Sequence, residues 1–305
     1  MSDFSRPTRR AVLGGLAVLP FAGRLARAQE APITRAVPAS GEEIPVIGMG
    51  SWITFNVGDD RRLRDERAEV LRVFFAEGGK VVDCSPMYGT SADVIGYGLE
   101  KLGWPPQLFS ASKVWTWRQG DGPEQMAEQR GRWGVERFDL MQVHNLLNWE
   151  GHLETLRADK AAGRLRYLGV TPSHGSRHEE LEAVMKSQPL DFVQFTYNIL
   201  DREAEDRLLP LAAERGQAVL VNRPFRRKAL IRQFEKHPLP DWAAEFDAAN
   251  WPQFLLKFVV SHPAVTCAIP ATSRADHMAQ NMGALYGRLP DAALRRRMVA
   301  YVESL

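Results

Sequence analysis

An acid, a phenol, an amine and an imidazole each fall at or just beyond the end of an apolar run in this chain. Val81 and Val82 lead into Asp83, and Tyr88 follows five residues later in the turn Ser85, Pro86, Met87, Tyr88, Gly89. The run 108–112 stops at Lys113, and the run 138–143 stops at His144. A phenol titrates near about pH 10, so it donates poorly to a carbonyl oxygen at neutral pH unless its phenolate is stabilised. A lysine ammonium within hydrogen-bond reach favours that phenolate. A carboxylate such as Asp83 keeps the lysine charged against desolvation and fixes its rotamer. The His144 imidazole donates to the same substrate oxygen and orients it. None of the four is a hydride source, so the reducing equivalents of such a site come from a cofactor.

Side chains from three separate segments meet only if those segments are strands whose C-terminal ends open on one mouth. Eight apolar runs follow residue 44, at 45–49, 80–83, 108–112, 138–143, 165–170, 190–195, 217–221 and 265–269. They alternate with amphipathic stretches such as 63–77 and 153–162, which Gly78 and Gly163 stop. Strand–helix alternation implies a parallel sheet, and eight units over about 260 residues fit a closed barrel. The expected fold is thus α/β, a (β/α)8 barrel of the TIM type, with residues 33–46 forming a hairpin that plugs its floor. A long stretch, 225–250, falls between the seventh strand and its helix, on the mouth side. Its aromatic-rich end, with Trp242, Phe246 and Trp251, reads as a lid over substrate or cofactor. A last helix is expected over 291–304, outside the barrel.

The segment from Asp83 through Tyr88 and Gly89, followed by Ser91 to Gly96, resembles the aspartate-to-tyrosine segment of the aldo-keto reductases. Ser112, Lys113 and Trp115 resemble that family's lysine segment, and Leu140 to His144 its histidine segment. The likeness continues in order through Gly169 to Thr171, Val193 to Asn198 and Ile269 to Ser273, and spans about 46–284. It implies a carbonyl reductase or alcohol oxidoreductase with Tyr88 as general acid, Lys113 and Asp83 as its tuning pair, and His144 as the orienting donor. It also implies that Trp52, Met87 and Trp115 line an apolar carbonyl pocket. Thr171 and Gln194 are similar to the groups that hold the nicotinamide carboxamide, with Asn222 and Arg223 beside them. Ser273, Arg274, Gln280 and Asn281 match the segment that takes the adenosine end, and Arg274 favours NADP(H) over NAD(H). The chain departs from the family at Asn145, where several members carry tryptophan, and at Pro172, where asparagine is common. Asn222 stands where a tyrosine usually stacks on the nicotinamide, and Ala271 and His277 replace basic residues.

The 305 residues are 45% apolar and 25% charged, an ordinary globular composition large enough for a substantial core. The formal charge of +2 hides a split: residues 1–28 hold five arginines against one aspartate, leaving about −2 for the rest. No basic patch argues for nucleic acid. Arg9 and Arg10, the mildly apolar run 11–22 and the small residues Ala26 and Ala28 read as a twin-arginine signal peptide cleaved near Ala28. Twelve apolar residues are too few to span a bilayer, which needs about 20, so no stable membrane anchor is expected. The expected partners are the twin-arginine export machinery and a small carbonyl or alcohol, the location is periplasmic, and residues 29–305 form the barrel. Cys84 and Cys267 read as buried spectator thiols on strands that are not neighbours. The chain has no His-x-His and no ligand spacing near His144, so a metal-dependent hydrolase is disfavoured. Two further classes stay open: a cofactor-holding sensor or interaction subunit with little turnover, and a cofactor-free barrel isomerase or hydrolase.

Overall fold

Gly41 reverses the chain near its described start, adopting φ +75°, a conformation that side chains with a Cβ rarely take. Around this turn β1 (Thr34–Ala36) and β2 (Glu43–Pro45) pair antiparallel, Thr34 opposite Pro45. The computed structural model describes Met1 and residues 31–305, of which Ala31–Leu305 forms one compact unit. The expected signal peptide and its boundary at residue 28 lie outside the described residues.

Eight parallel strands follow in chain order: β3 (Met49–Gly50), β4 (Val81–Asp83), β5 (Phe109–Val114), β6 (Phe138–His144), β7 (Leu165–Thr171), β8 (Phe192–Thr196), β9 (Ala218–Asn222) and β10 (Cys267–Ala268). Each pairs with its sequence neighbour. The last returns to the first through bridges Ile47–Ala268 and Gly50–Ala271, with Gly48 N–H donating to Ala268 O at 2.8 Å. The eight-stranded barrel expected from the alternation is present.

The strands are almost wholly buried because helices cover them outside and side chains fill them inside. Period two sorts the faces. Val81, Phe109, Leu140, Phe192 and Leu220 form an interior cluster, joined from below by Val37 and Ile44 of the hairpin. The hairpin is therefore the floor plug. Ser40 and Glu42 both hydrogen-bond the Tyr167 hydroxyl, at 2.6 and 2.7 Å, and Glu42 also pairs with Arg166.

Several bounds differ from expectation. β5 and β6 run on through Lys113 and His144, since backbone pairing continues as Lys113 opposite Gln142 and His144 opposite Thr171. β3 is short because residues 43–45 are committed to the hairpin. β10 keeps two residues: Val265 N–H turns back to His262 O, and Pro270, lacking an N–H, follows closely. The aromatic end of 225–250 does not cover the mouth. Trp242 packs against Phe254 and Tyr301 at centroid distances of 5.7 and 5.8 Å, and Trp251 stacks on Phe234 at 5.2 Å. Those rings find more apolar surface beside the last helix, Ala292–Glu303, than over a polar opening. The mouth is flanked instead by the first part of the stretch, through Arg232.

Helix Ser91–Lys101, which follows the Tyr88 turn, approaches helix Gly122–Trp133 through Gly96. A Cβ there would stand 1.8 Å from the Arg132 carbonyl oxygen, so the helices meet only because the residue is glycine. Gly96→Ala is expected to cost about 1–3 kcal/mol or more by overpacking, read as a lower denaturation midpoint at unchanged m; a midpoint equal to wild type would mean that the contact relaxes freely.

Candidate active site

Interior parity carries the site. Along β4 the residues facing in are Val81 and then Asp83; along β5, Phe109, Ala111 and then Lys113; along β6, Leu140, Gln142 and then His144. Each strand turns from apolar at the floor to polar at the mouth. Lys113 Nζ lies 2.6 Å from both Asp83 carboxylate oxygens and donates to the Cys84 carbonyl at 2.9 Å. All three of its hydrogens are taken. Both partners are buried, Lys113 at 0% exposure and Asp83 at 2%. Burial pushes the Asp83 carboxyl up, and the ammonium beside it pulls it back.

Tyr88 stands on the turn after β4, with its ring edge-on to His144 at 5.7 Å. Lys113 Nζ is 5.6 Å from the centre of the Tyr88 ring. The direct amine-to-phenol bond expected from the sequence is absent, because Asp83 and Cys84 occupy the lysine. Burial drives the phenol well above its ordinary value, the Asp83 charge adds to this, and the Arg223 guanidinium pulls it back. His144 Nδ1 meets Ser85 Oγ at 2.6 Å. Burial, and then the Lys113 charge, hold the imidazole well below its ordinary value, so it is neutral at pH 7. Burial pushes the Cys84 thiol up to about 11, so it stays protonated and is no nucleophile.

Tyr88 and His144 open on a cavity of about 800 Å³. Trp52 and Met87 line it, as do Thr171, Gln194, Asn222, Arg223 and Ser273. That size suits a cofactor headgroup with a small substrate, and the polar heads along β7–β9 offer the amide and hydroxyl partners a nicotinamide carboxamide requires. Gln194 Oε1 accepts from Gln142 at 2.9 Å, and Asn222 accepts from Thr196 at 2.8 Å, so both are oriented before any ligand arrives.

Four expected members lie elsewhere. Trp115 is outside the cavity wall; β5 ends at Val114, and the Gln125 side chain clamps the Trp115 backbone at 2.6 and 2.9 Å. Arg274 is held by Asp276 at 2.9 Å and points to solvent. Gln280 is exposed on helix Ala275–Met282, and Asn281 is buried on its inner face with Met278 and Met282. The helical repeat sets that placement. Sequence reading missed Gln142 and Ser85. Gln142 was legible from parity, two residues before His144; Ser85 carried no signal beyond its place in the turn.

The fold and the mouth define a parallel (β/α)8 barrel whose polar centre gathers a phenol, an imidazole and a buried amine–carboxylate pair. The chain belongs to the Aldo/keto reductase family, whose model matches residues 46–297. It is 25% identical over 204 residues to the aldo-keto reductase YhdN of Bacillus subtilis (strain 168), across 61% of this chain and 60% of that protein. The chain thus spans less than two thirds of that relative. The aldo-keto reductase str7 of Strobilurus tenacellus is 25% identical over 274 residues, 76% of this chain and 81% of that one. Among solved structures, an aldo/keto reductase from Klebsiella pneumoniae in complex with NADP and acetate superposes with a TM-score of 0.73 at 22% identity, covering 86% of this chain and 92% of that one.

His144 ties stability to pH. Its folded value is depressed, so the folded state favours the neutral ring while the unfolded ring takes up a proton below about pH 6.5. The stability it contributes is present above that pH and is lost as pH falls from there toward the folded value. His144→Gln is expected to flatten this decline, seen as the difference between wild-type and variant unfolding free energies from pH 7.5 to 5; parallel curves would refute the neutral buried ring.

Proposed function

We propose that this chain interconverts a small aldehyde or ketone and its alcohol, with Tyr88 as general acid and base. As a member of its family it is an NAD(P)H-dependent oxidoreductase. The observation that supports the reading is the meeting of Tyr88, His144 and the Lys113–Asp83 pair beside a cavity walled by Thr171, Gln194 and Asn222. When bound, the nicotinamide supplies or accepts the hydride. The residues do the rest. In the tautomer where the Ser85 hydroxyl donates to Nδ1, His144 Nε2 carries a hydrogen and donates a hydrogen bond with it to the carbonyl oxygen, keeping its proton. As negative charge builds on that oxygen, Tyr88 hands over its phenolic proton. The phenolate left behind is favoured by Arg223. In the reverse direction the phenolate takes the proton of the alcohol. Of the two cofactors we favour NADP(H), supported by the K. pneumoniae structure that holds NADP; Arg274 must leave Asp276 to contribute.

Tyr88→Phe removes one oxygen and no apolar volume. Turnover of small aldehydes is expected to fall by about 100-fold or more, with NADPH binding retained in a fluorescence titration. Near wild-type turnover would eliminate Tyr88 as the donor. The engagement of all three Lys113 hydrogens away from Tyr88 favours a second reading, a cofactor-holding sensor. That protein would retain one equivalent of NADPH and would not consume an excess.

The export reading rests on Arg9 and Arg10 in the sequence. Changing both to Lys is expected to leave the protein uncleaved in the cytoplasm, shown by fractionation and N-terminal mass. Unchanged export would refute a twin-arginine signal.

A further inference from the structure

We propose that Gln142 is a positioning residue for the reaction: it sets which end of the Gln194 amide faces the cavity. Through it the Lys113–Asp83 pair fixes a hydrogen-bond donor where the nicotinamide carboxamide is met. The proposal rests on the NAD(P)H-dependent reading of this cavity and adds a residue that itself touches neither substrate nor cofactor.

Asp83, Gln142 and Gln194 come from β4, β6 and β8, alternate strands whose inward side chains share one layer of the barrel. β7 stands between the last two. Parity places its Gly169 on the same inward face as Tyr167 and Thr171, and Gly169 has no side chain to separate Gln142 from Gln194. The two amides therefore meet across an intervening strand, at 2.9 Å. Gln142 has 0% exposure and does not reach the cavity wall, whereas Gln194 lines it.

Hydrogen-bond sense passes along this layer. Lys113 gives one hydrogen to each Asp83 oxygen and a third to the Cys84 carbonyl, so the carboxylate offers only lone pairs. It accepts the NH2 end of Gln142 as a neighbour and repels the C=O end. Gln142 Nε2 accordingly stands 3.5 Å from Asp83 Oδ1 and gives its better-placed hydrogen to Gln194 Oε1. With that oxygen engaged, the NH2 group of Gln194 is the end left for the cavity, and it has no acceptor among the described residues. A donor is the polarity that a carboxamide oxygen requires. Turning Gln142 over would turn Gln194 over with it and offer the cavity a carbonyl oxygen instead. Stability does not explain the Gln142 amide. Its Oε1 is buried with no partner among the described residues, a destabilising arrangement that a methionine of similar length avoids.

The test compares calorimetric binding of NADP+ with that of 2′-phospho-ADP-ribose, the same nucleotide without its nicotinamide. Gln142→Met is expected to weaken NADP+ by about tenfold and to leave the fragment within about twofold. In a Gln194→Met background the same substitution should change neither, because the amide it orients is gone. Equal losses for both ligands would mark a merely structural residue, and no loss for either would show that Gln194 is oriented without Gln142. Each of these overturns the proposal and leaves the reductase reading intact. Wild type that binds neither ligand would overturn both. A second readout needs no variant at Gln142: side-chain amide hydrogen exchange in 15N-labelled wild type. The Gln142 NH2 should be protected before any ligand is added, and the Gln194 NH2 should become protected with NADP+ and not with the fragment. A Gln194 NH2 already protected in the free protein would mean the opposite amide sense and would refute the proposal.

Discussion

A lysine ammonium with no solvent exposure, bonded to both oxygens of an equally hidden carboxylate, constrains everything else at the barrel mouth. Taking two charges out of water costs several kcal/mol per ion, and only near-ideal contact returns it. Here the contact is two-pronged at 2.6 Å, and the Cys84 carbonyl accepts the third ammonium hydrogen bond. Removing one partner would leave a buried charge uncompensated, typically a loss of about 3–5 kcal/mol. The pair therefore holds β4 and β5 at their mouth ends, and its positive member adds to the burial that keeps the neighbouring His144 neutral. Gln142 extends the polar layer across the barrel, 3.5 Å from Asp83 and 2.9 Å from Gln194. The interior is thus polar from β4 to β8 at one level and apolar one layer below.

That layering places the strand-borne groups of the mouth on a packed base. Phe109, Tyr167 and Phe192 stack beneath the polar level, with ring centroids 5.3–6.0 Å apart, and the hairpin closes the floor. Asp83, Lys113, Gln142, His144 and Gln194 rise from strands with buried neighbours on both sides. Tyr88, Trp52 and the arginines after β9 stand on connecting loops. The groups that hold charge are in the scaffold, and those that meet ligand are on the loops, the usual division in barrels of this kind.

Residues that break an apolar pattern are the ones a sequence reveals. Asp83, Lys113 and His144 were legible because each ends a hydrophobic run, and the barrel followed from the spacing of those runs. Gln142 was hidden inside such a run, since its polarity is balanced by two partners that only the closed sheet supplies. Trp115 falls outside the cavity wall because strand parity stops where pairing stops, at Val114. The Trp242, Phe246 and Trp251 group misled because aromatic content marks apolar surface and does not say which surface it will meet. Arg274, Gln280 and Asn281 were placed by family likeness, and the local helix with its Asp276 pair positions them for its own packing. The engagement of Lys113 away from Tyr88 had no sequence signal at all, because it depends on where the Cys84 carbonyl points.

The last of these changes how the phenol must be tuned. With every Lys113 hydrogen committed, the ammonium acts on Tyr88 only across its ring, and the Asp83 charge opposes phenolate formation. The cation pulling the other way is Arg223, on the strained loop after β9. The acidity of Tyr88 is therefore set partly by a loop after the sheet rather than by the barrel strands alone. An anion seated on Arg223 offsets the charge that favours the phenolate and so strengthens the hold of Tyr88 on its proton.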